Sequence, residues 1–185
     1  MDRPQPGRTE RSARAHQVVA AARKVIEDEG RDALTMRRLG DELGIRAPSL
    51  YKHFPDKAAV ELAVIEEALA EVGEALHAAV AGPGTVEAAE PGTPVERLLG
   101  CYRGYGLDHP HLYRLATTGP LAREALPEGL DEWAGRPFFL ATGDPHRGQA
   151  LWSLAHGMVI LEIDGRYADP TQLDQTWKAA AAAFR

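Results

Sequence analysis

LGIRAPSLYKHFPDK, residues 43–57, holds one Gly, two Pro, four basic side chains counting His53, one Tyr and only four large apolar residues. Gly44, Pro48 and Pro55 give it the look of a loop, yet Leu43, Leu50 and Phe54 keep helical spacing. Two short helices broken at Gly44 satisfy both signals. The second begins near Ala47, with Pro48 in its first turn where a missing N–H costs nothing, and stops before Pro55.

Upstream, Thr35 is a good N-cap for a helix running to Leu43, with Met36, Leu39 and Leu43 inward. A longer helix is expected from about Ser12 to Glu29. Its stripe is Ala15, Val18, Val19, Ala22, Val25 and Ile26, and Gly30 stops it. Residues 1–11 form a Pro/Gly/Arg arm without periodicity, expected to be disordered. Downstream, Asp56 caps a long helix to about Ala79, with Val60, Val64, Leu69, Val72 and Leu76 apolar. Residues 81–94, AGPGTVEAAEPGTP, read as a mobile loop. Further helices are expected over 95–107, 110–117, 121–126 and 128–141. After the turn ATGDPHR come the most apolar helix, 146–166, and a last helix, 172–184, striped by Leu173, Trp177, Ala180, Ala181 and Phe184.

The 185 residues are 44% hydrophobic and rich in Ala, with few β-branched and aromatic residues, so an all-α fold is expected. The single cysteine, Cys101, excludes an internal disulfide and suits a reducing compartment. No stretch approaches the ~20 apolar residues of a membrane span. The N-terminus is polar and basic, unlike a secretory signal. A soluble, cytoplasmic protein is the expectation. The net charge of −6 hides an asymmetry. Residues 1–54 carry 11 Lys and Arg against 8 Asp and Glu, and the remainder carries 10 against 19. A basic first third on an acidic body fits an anionic partner at one end, or ordinary scatter of surface charge.

The two short helices are too small to stand alone, and the Ser12–Glu29 helix offers an apolar floor for Leu39, Leu43, Leu50 and Phe54. That arrangement is a helix-turn-helix, whose second helix fits the major groove. Arg46, Ala47, Pro48, Ser49 and Lys52 would face base edges. Tyr51, His53 and Lys57 would reach phosphates, and Thr35 and Arg37 would hold another at the start of the preceding helix. Arg3, Arg8, Arg11 and Arg14 add phosphate or minor-groove contacts, or form a tail with no role. A plain helical hairpin packed in an α-helical protein fits the same pattern.

The run LTMRRLGDELGIRAPSLYKHFPDKAAVELAV resembles the signature of TetR-type (TetR/AcrR) transcriptional regulators over about residues 12–70. The matching features are Leu34-Thr35, Leu39, Leu43-Gly44, Leu50-Tyr51-x-His53-Phe54 and Asp56-Lys57. The resemblance implies an all-helical homodimer. Its N-terminal three-helix domain (12–72) binds operator DNA, and a larger C-terminal domain (73–185) dimerises and senses a ligand. It implies the same phosphate- and base-facing roles for the residues just named. Trp152-Ser-Leu-Ala-His156-Gly157 resembles the Trp-x-x-x-His-Gly (WHG) pattern of one group of TetR-type C-terminal domains. For a small apolar or amphipathic effector the resemblance implies a lining of Tyr102, Tyr105, Leu112, Tyr113, Trp133, Phe138, Trp152 and His156; each is also a natural core residue. Helices 146–166 and 172–184 would form the two-fold contact, since 146–166 is apolar on nearly every face and must be covered on all sides.

Other chemistries are less supported. His109, His111, His146 and His156 contain no i,i+4 pair and have no thiolate pair beside them, so no metal site or cofactor is assigned. Cys101 lies among Leu98, Leu99 and Tyr102, the place of a small buried residue rather than a redox sensor. No nucleophile elbow, phosphate loop or carboxylate pair points to an enzyme. A structural dimer that has lost DNA binding would not need Tyr51, Lys52, His53 and Lys57.

Overall fold

The computed structural model describes residues 5–82 and 92–184. Arg3 and the 83–91 part of the expected loop lie outside them. Nine α-helices and three short 3-10 turns occur among the described residues, with no strand, so the fold is all-α. Two compact units emerge: Met1–Ala70 with His109–Asp131, and Glu71–Asp108 with Glu132–Arg185.

In the first unit, α1 (Ala13–Glu29) starts where Ser12 Oγ accepts the Ala15 N–H and ends at Gly30, whose φ of 87° suits glycine. α2 (Met36–Leu43) is capped by Thr35 Oγ1, which accepts the Arg38 N–H at 3.0 Å. Gly44 closes α2 at φ 64°, ψ 30°. Its N–H goes to Asp41 O, and the Ile45 N–H reaches back to Gly40 O at 2.9 Å, the paired bonds of a Schellman stop. Gly40 is also a packing requirement, because a Cβ there would lie 2.8 Å from the Ile45 carbonyl oxygen. The sharp turn between the two helices depends on both glycines.

α3 (Ala47–Leu50) is shorter than the expected helix to Phe54, since Tyr51–His53 form a turn. The His53 and Phe54 N–H groups both converge on Leu50 O. That tightening seats Phe54 in the core just before Pro55, which cannot continue the ladder. Asp56 Oδ1 accepts the Ala59 N–H and opens α4 (Lys57–Ala81). α6 (Pro110–Thr117) packs on α1. The core joins Val18, Val19, Ala22, Val25 and Ile26 of α1 to Leu39, Leu50, Phe54, Val60 and Val64, and takes Leu112 and Leu115 from α6. Leu39 and Leu50 are fully buried, worth about 2 kcal/mol each in apolar transfer. Because α6 supplies this core, residues 109–131 group with the N-terminal helices, whereas the sequence division falls at 72/73.

In the described part of the arm expected to be disordered, Thr9 and Arg11 both meet Glu66. The Thr9 N–H and hydroxyl donate to the two Glu66 oxygens at 2.7 and 2.9 Å, and Arg11 pairs with the same carboxylate. Glu66 is 3% exposed, and a buried carboxylate requires donors.

The second unit contains α5 (Pro94–Asp108), most of α7 (Leu130–Thr142), α8 (Pro145–Ile163), α9 (Leu173–Ala182) and the last turns of α4. Thr93 and Glu96 form a reciprocal capping box at the start of α5. α5 packs on α8 and α9. Tyr102 meets Phe138 edge-on at 5.3 Å, and Trp133 occupies the space a Gly73 Cβ would need. The expected helix over 121–126 is only a 3-10 turn, Arg123–Ala125, between Pro120 and Pro127. No helix among the described residues is long and apolar enough to cross a membrane.

Candidate functional site

The first unit gathers most of the residues singled out by the helix-turn-helix reading. Arg46 is the N-cap of α3 and is exposed. Pro48, Ser49, Tyr51, Lys52 and His53 follow it on the surface, Ala47 is half-buried, and Leu50 alone turns fully inward. Tyr51 is 53% exposed although it is a large aromatic residue. Its neighbours explain this: Leu50 and Phe54 take the core positions, so the side chains between them face out.

At the start of α2, Thr35 and Arg37 are exposed. Thr35 Oγ1 accepts from the backbone, which leaves its hydroxyl proton free to donate to an anion. The basic side chains sort into two groups. Arg38 is bound to Glu29 at 2.6 Å and Glu42 at 2.9 Å, and Lys24 to Glu42 at 2.9 Å. These two cations hold the Glu42 carboxyl below its usual range, Lys24 having the larger effect. Arg37, Arg46 and Lys52 make no hydrogen bond or ion pair among the described residues. The free cations are therefore Arg46 and Lys52 on either side of α3 and Arg37 in the first turn of α2. Arg38, adjacent in sequence to Arg37, is part of the scaffold.

Lys57 differs from its expected role as a projecting phosphate contact. Its Nζ donates to the Arg31 carbonyl at 3.0 Å and lies 3.4 Å from Glu61 Oε1. Glu61, 6% exposed, also receives Arg31 through Nε and a terminal nitrogen at 3.0 and 2.9 Å. Sequence reading missed Glu61 and Glu66 as buried acids, since Arg31 lies 30 residues from Glu61 and Thr9 lies 57 from Glu66.

The residues implied as effector lining are divided between the two units. Leu112 and Tyr113 belong to the first unit, and Leu112, 0% exposed, is part of its core. In the second unit Tyr102 and Phe138 are buried against each other, and Tyr105 is half-buried. Trp133 stacks on His77 at 4.7 Å, and its carbonyl lies 3.0 Å from His77 Nε2. Trp152 is on the outside of α8, 39% exposed, stacked on His156 at 5.9 Å. Burial lowers the His156 pKa below the ordinary imidazole value. A cleft of about 500 Å³ lies instead between α5 and α9, lined by none of these residues. His109 pairs with Glu27 at 2.8 Å. Cys101 is half-buried and burial raises its thiol pKa, which disfavours the reactive thiolate.

An exposed short helix flanked by Arg46 and Lys52 and set by a Schellman turn against a capped helix defines a helix-turn-helix DNA-binding protein. Comparison with known proteins agrees. Residues 18–64 match the family "Bacterial regulatory proteins, tetR family", and residues 95–184 match "Tetracyclin repressor-like, C-terminal domain". The HTH-type transcriptional regulator Rv0681 of Mycobacterium tuberculosis is 30% identical over 158 residues, 80% of this chain and 69% of that protein. The chain belongs to the TetR family of bacterial transcriptional regulators.

Solved structures show the same fold. The regulatory protein SCO4313 aligns with a TM-score of 0.70 at 20% identity, over 92% of this chain and 94% of that one. TetR-Q116A of Acinetobacter baumannii AYE, in complex with minocycline, aligns with a TM-score of 0.58 at 23% identity, over 91% and 94%. The family and these neighbours are transcriptional regulators, not enzymes.

Proposed function

We propose that this regulator is a ligand-responsive repressor that binds a near-palindromic operator as a homodimer. The observation that carries the DNA-binding part is the separation of free Arg37, Arg46 and Lys52 from the ion-paired Arg38 and Lys24. Free cations release counterions from DNA without first breaking an internal bond. Arg46, Ser49 and Lys52, with apolar contact from Ala47 and Pro48, read base edges. Thr35, Arg37, Tyr51 and His53 hold phosphates, and Lys57 reaches one only by leaving Arg31 and Glu61.

The dimer forms through α8 and α9. Trp152, Leu154 and Leu161 on α8 are 38–44% exposed, while Leu151, Ala155 and Val159 of the same helix are fully buried. A helix apolar on both sides needs a second cover, and a second copy provides it with two-fold symmetry. Trp152, His156 and Gly157 then lie at that surface, which also suits membership of the Trp-His-Gly group.

A small amphipathic effector binds the second unit and lowers operator affinity. The minocycline complex of the similar TetR-Q116A supports a ligand of this kind. α4 belongs to both units, giving one continuous helix whose position both sites can bias. Coupling of ~1–3 kcal/mol is typical, and operator must weaken the effector by the same factor. The test is titration of the protein against its own upstream DNA by fluorescence anisotropy. Specific binding with two subunits per site is expected, and binding no tighter than to random duplex would overturn the reading.

A further inference from the structure

We propose that the α5–α9 cleft binds a small amphipathic carboxylate, its carboxyl group on Arg103 and Lys178 and its apolar body against Leu99, Gly100, Trp177 and Ala181. The volume, about 500 Å³, is in the range of small-molecule sites. Arg103 is fixed from behind. Its Nε donates to both Glu162 oxygens at 3.2 and 2.9 Å, and a terminal nitrogen donates to Glu162 at 2.6 Å. The Trp177 indole N–H donates to the same carboxylate at 3.0 Å, and its ring lies 5.6 Å from the guanidinium carbon. The remaining terminal nitrogen is held by Asp174 Oδ1 at 2.6 Å.

Asp174 is the informative group. Its side chain is 79% exposed, whereas that of Glu162 is 11% exposed. An exposed pair competes with water and is worth little, so this carboxylate can leave Arg103 at small cost. It is the chain's own stand-in for a ligand carboxylate, placed where a guanidinium fork accepts one. One helical turn further on, Lys178 makes no hydrogen bond or ion pair among the described residues. Glu96, the other acid in the lining, is engaged in the capping box with Thr93. Among the lining residues Arg103 and Lys178 are balanced by Asp174 and Glu96, so it is the departure of Asp174 that leaves the lining one positive charge in excess for a ligand carboxylate to match. Gly100 leaves room for the ligand body: a Cβ there would meet nothing within 4 Å.

The proposal deepens the effector reading, on which its regulatory meaning rests, but binding is measured without DNA. The probe is 2-naphthoate, titrated calorimetrically into the full chain, with 2-naphthalenemethanol and 2-naphthylmethylammonium as controls. Naphthoate should saturate a site that the alcohol and the ammonium fill at least about tenfold more weakly, the scale of a hydrogen bond to a charged group. Asp174→Asn removes the competing carboxylate and should tighten naphthoate. Lys178→Gln should weaken it, and Gly100→Leu should abolish it while melting temperature and DNA affinity stay at wild type. No naphthoate binding at millimolar concentration, equal binding of the ammonium, or weaker binding by Asp174→Asn overturns the site. Adding operator separates the two ideas, because naphthoate binding that is indifferent to DNA keeps the cleft and removes its role as the effector site.

Discussion

Thr9 and Glu66 are joined twice, by the Thr9 N–H at 2.7 Å to one carboxylate oxygen and by the Thr9 hydroxyl at 2.9 Å to the other. Arg11 completes the set, its side chain 11% exposed and that of Glu66 4% exposed. Breaking one side of a buried pair strands the other charge. Arg11→Ala should cost about 3 kcal/mol of unfolding free energy, measured by urea denaturation. The double variant Arg11→Leu/Glu66→Leu should regain most of that loss, since it removes both charges together. Additive losses would show that the pair is not coupled.

Gly40 sits against the turn that aims α3. Adding a Cβ 2.8 Å from the Ile45 carbonyl oxygen forces backbone to move, so Gly40→Ala should destabilise by about 1–3 kcal/mol. Gly44→Ala, at φ 64° with open space around it, should cost only the left-handed penalty of about 1–2 kcal/mol. Gly40→Ala should also weaken DNA binding in proportion to the misplaced helix. Wild-type stability and affinity in that variant would remove the close approach.

The sequence made these elements legible through local chemistry. Thr35 and Asp56 each cap the helix expected of them, Ser12 caps the helix expected to start near it, and Gly30 and Gly44 end helices through backbone angles that favour glycine. Apolar spacing likewise placed Val18 to Ile26 and Leu50 inward. Periodicity says that a face is buried but not against what. The lining implied by the resemblance left core as the alternative for each residue, and Leu112 takes that alternative in the first unit while Trp152 is exposed on α8. Gly40 looked like an ordinary helix residue because its constraint comes from the chain five residues ahead. Glu61 and Glu66 looked like surface acids because their partners are remote in sequence. Arg37 alone was named as a phosphate contact, and the bonds of Arg38 to Glu29 and Glu42 supply a physical difference between the two neighbours that the sequence does not carry.

His156 gives a pH dependence with a definite sign. Burial lowers its folded pKa below the unfolded value of about 6.5, so the fold favours the neutral ring. The contribution is fully present above pH ~6.5 and is lost as pH falls through the folded pKa. Unfolding free energy should therefore drop between pH 7.5 and 5 by more in the wild type than in His156→Phe. Parallel pH curves would show that other groups set the acid limit.

The exposed apolar side of α8 predicts an oligomeric state. Leu154→Glu with Leu161→Glu, about two turns apart on one side of the helix, adds two charges to that face without changing the buried Leu151, Ala155 or Val159. Sedimentation at micromolar concentration should show a dimer for the wild type and a monomer for the variant, with unchanged helix content. A variant that stays dimeric would move the interface elsewhere.

Arg37 and Arg38 are neighbours in sequence with opposite expected effects on DNA binding. Arg37 is exposed and has no partner among the described residues, so all of its charge is available to a phosphate. Arg37→Ala should weaken binding to every duplex and reduce the slope of log K against log salt by about 0.9, one counterion contact. Arg38 spends its guanidinium on Glu29 and Glu42, which tie the end of α1 and the body of α2. Arg38→Ala should leave the slope near wild type and cost at most about 1 kcal/mol of stability, because these pairs are partly exposed. Lys57→Ala falls between them. It removes a charge already held by Arg31 O and Glu61, so it should flatten the slope by less than Arg37→Ala and also loosen the start of α4. The measurement is anisotropy of one labelled operator across a salt series for the three variants. If Arg38→Ala flattens the slope as much as Arg37→Ala, internal pairing does not decide which cations meet DNA, and the interface must be redrawn to include the whole of α2.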